Sequence, residues 1–105
     1  MSQKVQPKMS RYYDRAGKPL SLAEWAVSFG RQQDKVVEQT ALPNNRRVST
    51  VWLGLNHQYG DGPPLIFETL VFHDDCNELD CERYTTEEEA QAGHARMVAK
   101  WTGAS

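Results

Sequence analysis

The side chains of this chain that could do chemistry are three histidines, two cysteines and a run of carboxylates, and most of them crowd into one stretch. His73, Asp74, Asp75, Cys76 and Cys81 lie close in sequence, and His57 and His94 could join them through the fold. That mix points first to a divalent metal. Zinc takes thiolate and imidazole ligands at short spacing, commonly from paired cysteines two to four residues apart. The Cys76/Cys81 pair stands alone and at the long end of that range. The expectation is therefore Cys81 as a small residue on a strand, Cys76 in a loop, and no metal or cofactor.

Acid–base chemistry has two candidates. Glu68 interrupts the apolar run 65–72 and must be paired, protonated or solvent-facing. Arg83, on a neighbouring strand, is its natural partner. His94 falls on the apolar face of the last helix, where a lone histidine is ordinarily a core residue whose ring nitrogens find partners. Catalysis would need a second group and a pocket, which the spacing does not supply. No nucleophile elbow, phosphate-binding lysine loop, HExxH or nucleotide fingerprint is present, and no nucleic-acid-binding signature stands out.

Two stretches suit binding better than catalysis. The loop 56–64 contains His57, Tyr59 and Asp61 and ends on Pro63-Pro64. It is longer than a hairpin needs, and long loops on rigid scaffolds often carry contacts. Over residues 74–89, eight acids face one base, a local charge of −7. Asp74, Asp75 and Glu78 in that stretch would repel phosphate and attract a basic partner. The plainer alternative is that Glu87 to Glu89 favour a helix N-terminus and the others are solvated.

These residues have to be positioned by ordinary elements, and two helices are well marked. Ser21 with Glu24 reads as a capping box, Leu20 and Trp25 as its hydrophobic staple. Leu22, Trp25, Ala26 and Phe29 would form one buried face, and Gly30 a stop in the left-handed conformation. Thr86 with Glu89 repeats the box, followed by Ala90, His94, Met97, Val98 and Trp101 on one face and Gly103 at the end. Gly93 would let that helix approach the sheet closely.

Between the helices lie strand candidates at 35–42, 48–55, 65–72 and 79–84, with Pro43-Asn44-Asn45 as a turn. The runs 48–55 and 65–72 are apolar on both alternating faces. That pattern predicts central strands with something covering each face. Tyr12-Tyr13, stopped by the turn residues 14–17, suggests a brief leading strand. The expected fold class is α+β: one antiparallel sheet of three to five strands with an N-terminal and a C-terminal helix packed on it.

Composition bounds the rest. The chain has 105 residues, 39% hydrophobic and 25% charged, with a net charge of −2. That suits one globular domain over 11–105 after a frayed tail over 1–10. Neither a membrane span nor a signal-peptide pattern is visible, so a cytoplasmic location is expected. Lys4, Lys8 and Arg11 make the first eleven residues basic, but the remainder is acidic, and a nucleic-acid partner is not expected.

Two segments, TVWLGLNHQYGDGPPLIFETLVF at 50–72 and ERYTTEEEAQAGHARMV at 82–98, resemble a family of small proteins of about this length. The family occurs in tailed phages, prophages and bacterial genomes. The resemblance runs from about Tyr12 to Trp101 and brings no catalytic or binding residue with it. It implies an accessory protein of a mobile element, a setting of small non-enzymatic binders and inhibitors. The reading that follows is a non-enzymatic protein that binds a protein partner through the 56–64 loop or the acidic stretch. The alternative is a small enzyme or ligand-binding domain with a pocket between sheet and helices.

Overall fold

The computed structural model describes residues 11–31, 35–58 and 62–103. Its elements run β1 (Tyr12–Tyr13), β2 (Pro19–Leu20), α1 (Leu22–Phe29), β3 (Val36–Leu42), β4 (Arg46–Trp52), β5 (Phe67–His73), β6 (Asn77–Tyr84) and α2 (Glu87–Thr102). The class is α+β. Strands β3 to β6 form an antiparallel meander in chain order, and β1 and β2 form a separate two-stranded ribbon. One sheet was expected where there are two. Asp14 explains the second: its carboxylate accepts from the backbone N–H of Ala16 and of Lys18, and Gly17 takes φ +89°. That turn folds the chain back, so that Tyr12 pairs with Leu20.

Both sheet hairpins close through three-residue links that need left-handed backbone. Asn44 and Asn45 have φ of 64° and 61°, Asp74 and Asp75 of 57° and 61°. Asn and Asp tolerate this region better than any residue but glycine. The two links touch, the Asp74 N–H donating to the Asn45 carbonyl at 2.8 Å.

Helix α2 begins on a capping box at Thr86 and lays Ala90, His94 and Met97 on the sheet, all buried. Gly93 is buried between them, and a Cβ there would collide with the Tyr84 ring and hydroxyl. The close approach of helix to sheet therefore depends on that glycine. Strand register sends Val48, Thr50 and Trp52 of β4 and Phe67, Thr69 and Val71 of β5 toward α2.

Helix α1 departs from expectation. Its capping box at Ser21 is present, but none of its residues is fully buried, and Leu22 is 58% exposed. Only its aromatic edge docks. Trp25 stacks on Phe29 at 4.7 Å and lies 4.9 Å from Tyr12, while Phe29 reaches Trp52 at 6.2 Å. The Trp25 indole N–H donates to the Leu53 carbonyl at 2.9 Å. A Cβ at Gly54, where φ is +71°, would fall on both Trp25 and Trp52. Gly30, expected to be left-handed, and Gly103 both end their helices in right-handed conformation, φ −71° and −85°. Each cap instead donates its N–H back to a helix carbonyl.

Trp52, which carries the α1 contact, points to the α2 side, so both helices lie on one face. Of the cover expected on each face, the described residues supply one side. Among the described residues, no helix or strand covers the opposite face, which carries Val51, Leu70, Phe72 and Cys81.

Candidate functional site

The strands deliver the candidate residues to three places. The first is the interior between sheet and α2. His94 Nδ1 lies 2.7 Å from Thr50 Oγ1 and Nε2 lies 2.8 Å from Thr40 Oγ1. Thr50 Oγ1 lies 2.5 Å from Thr69 Oγ1, and Tyr84 reaches Thr69 at 3.0 Å and Glu82 at 2.8 Å. The phenol has one proton and can donate to only one of these two at a time. One arrangement satisfies every group: Thr40 donates to His94 Nε2, and donation then runs His94 Nδ1–H to Thr50, to Thr69, to Tyr84, to the Glu82 carboxylate. Burial lowers the His94 pKa from 6.5, against an opposing pull from Glu38, 3.9 Å from Nε2. Burial pushes Tyr84 up to about 12. Neutral imidazole and neutral phenol are the forms this chain holds. His94 is thus a satisfied core residue, and the volume beneath α2 is filled by this chain together with Val48, Val71 and Met97.

The second place is the uncovered sheet face. Glu68 and Arg83 are cross-strand partners and meet at 2.9 Å, as the sequence pattern suggests. Cys81 Sγ lies 3.7 Å from the same Glu68 carboxylate, and burial, then that charge, raises its pKa. Arg47 pairs with Asp75 at 3.0 Å and lies over the Phe72 ring, 5.5 Å from its centroid. Between these two ion pairs run Val51, Leu70 and Phe72. A bulge in β6 opposite Val71 and Phe72 leaves Leu79 39% exposed, with Glu78 opposite Phe72.

The third place is the end of the sheet at the 56–64 loop. Asn56 Oδ1 accepts from the Gln58 N–H at 2.8 Å and the Leu65 N–H at 3.0 Å, closing the loop base. His57 opens with Arg11, Leu55, Asn56, Gln58 and Arg83 onto a cleft of about 510 Å³. Tyr59 and Asp61 lie outside the described residues.

The acidic stretch does not act as one patch. Strand alternation and the cap divide it. Asp75 pairs with Arg47, Asp80 with Lys100 at 2.7 Å, Glu82 with Arg96 at 2.9 Å, and Glu87 with Arg15 at 2.7 Å. The hydrogen bonds from Lys100 and Trp101 hold the Asp80 carboxyl below its ordinary value. Glu89 is used by the cap. Asp74 sits 3.4 Å from His73 Nδ1. His57 and the set Asp74, Asp75 and Glu78 therefore occupy opposite ends of the sheet, separated by the length of β5, roughly 20 Å at strand spacing.

The candidate metal ligands are equally dispersed. His94 is in the core, His57 at the loop end, His73 and Cys76 at the far hairpin and Cys81 on the open face. Among the described residues, no three His, Cys, Asp or Glu side chains gather. No helix among the described residues is long and apolar enough to cross a membrane.

Sequence reasoning missed Thr40 and Thr50, the partners of His94, and Thr69 and Tyr84, which continue the chain beyond Thr50. The available signal was a threonine at the centre of each of two apolar strands. It also missed Arg11, whose place beside His57 follows only from the bridge between Tyr12 and Leu55. Comparison of the chain with protein-family models, with curated proteins and with solved structures finds no match.

Proposed function

We propose that this protein is a non-enzymatic binding module that engages a protein partner over the uncovered face of its sheet. The observation that carries this reading is the apolar strip Val51, Leu70, Phe72 and Leu79, bounded by the Arg47–Asp75 and Glu68–Arg83 ion pairs. An apolar centre with a charged rim is the anatomy of a recognition surface. The fitting partner lays an apolar surface on the strip and meets the rim charges.

The two surfaces expected from sequence flank that face, His57 at one end and Asp75 and Glu78 at the other. A partner spanning the strip reaches both. The alternative reading places an enzyme's pocket between sheet and helices, and the volume under α2 is occupied by side chains, which favours the binder. The accessory role in a phage or prophage stays part of this proposal, supported by the residues 50–72 and 82–98 alone.

The test compares proteins captured from host lysate by the native chain and by Leu70→Lys. Leu22→Lys, which alters an exposed leucine on α1, serves as control. The reading expects one species captured by the native chain and the control but lost with Leu70→Lys at unchanged melting temperature. Equal capture by all three chains refutes it.

A further inference from the structure

The cleft at the 56–64 end has a composition that the protein-binding reading does not use. Two guanidiniums, an imidazole and two side-chain amides line it together with Leu55, and no carboxylate does so among the described residues. Glu68 is committed to Arg83 through Nε at 2.9 Å. Only 12% of its side chain is exposed. The terminal nitrogens of Arg83 have no partner among the described residues, and neither does the Arg11 guanidinium.

The amide at Asn56 is oriented by its own hydrogen bonds. Its oxygen takes two backbone N–H groups, which leaves the NH₂ end uncommitted. The His57 ring has no partner among the described residues either. Among the described residues, two guanidiniums balanced by one buried carboxylate leave a positive excess, and the uncommitted groups are mostly donors. Only an anionic acceptor satisfies both features at once.

We infer that the cleft lined by Arg11, Asn56, His57 and Arg83 binds an oxyanion, a carboxylate or a phosphate group. Arginine suits either, because its planar fork presents parallel N–H groups to two oxygens. The inference stands whether or not the sheet face is an interface, since Arg11 and Asn56 take no part in that face.

The full chain, followed by nuclear magnetic resonance, provides the test. One arm adds inorganic phosphate. The other adds a short peptide with a free C-terminal carboxylate, with the amidated peptide as its control. Sodium chloride at matched ionic strength supplies the baseline for both. The expected result is a saturable shift of the His57 ring and Asn56 side-chain amide signals with at least one probe. Arg11→Gln should weaken it about ten-fold or more, the usual worth of a hydrogen bond to a charged group. The probe that acts identifies the source of the oxyanion. Arg11 is exposed, so its variant should keep the native melting temperature. The proposal is overturned if neither probe shifts these signals beyond the chloride baseline. It is equally overturned if the shifts persist unchanged in Arg11→Gln and the Asn56 shift also persists in His57→Asn.

Discussion

Gly93 and His94 are neighbours on α2 with opposite demands on space. Gly93 is where the helix touches the Tyr84 ring, and its missing side chain sets the distance between layers. Gly93→Ala should destabilise by about 1–3 kcal/mol through overpacking, despite the better helix propensity of alanine. Chemical denaturation would show this as a lower midpoint. A raised midpoint would mean that α2 does not sit against Tyr84 as described. The Gly93 contact could be anticipated, because a glycine inside a helix suggests close approach. The threonine chain that holds His94 could not, since Thr50 and Thr69 come opposite each other only once the β4–β5 register is fixed. His57 was legible as a loop residue, but its company was not, because Arg11 and Arg83 reach it from distant parts of the sequence.

At the scale of elements, the helix starts and the buried face of α2 were read correctly, whereas the left-handed stop at Gly30 and the packing of α1 were not. Both capping boxes follow from residues three apart, which need no tertiary information. Thr86→Ala should therefore cost about 1 kcal/mol, visible as a fall in melting temperature. The burial of α1 was misjudged because an apolar stripe of eight residues says nothing about what it meets. Its docking falls on Trp25 and Phe29 alone, leaving Leu22 and Val27 58% and 60% exposed. Trp25→Ala should cost about 3 kcal/mol, by losing two ring contacts and the bond to Leu53. An unchanged denaturation midpoint would show that α1 is not held by this side chain. Strands apolar on both faces read as doubly covered. The sequence pattern cannot distinguish a covering helix from a covering partner.

For the molecule as a whole, the ionisation state of His94 links pH to stability. The imidazolium is disfavoured in the fold, whereas the unfolded chain protonates near 6.5. As pH falls through 6.5 the unfolded state gains the proton first, so stability declines until the lowered folded value is reached. Denaturation midpoints should be lower at pH 5.5 than at 7.5, and His94→Gln should shrink that difference. Should the variant keep the full difference, His94 is not its source.

The chain-order meander of β3 to β6 carries a kinetic consequence. Each hairpin pairs strands across only three residues, so β3–β4 and β5–β6 can zip early and independently. Joining β4 to β5 is the slow search, because the connection over residues 53–66 must close first. Doubling its length with glycine and serine should raise the closure cost by about 0.6 kcal/mol, slowing refolding roughly three-fold. Unfolding, measured by stopped flow, should keep its rate, since the inserted chain leaves the native contacts in place.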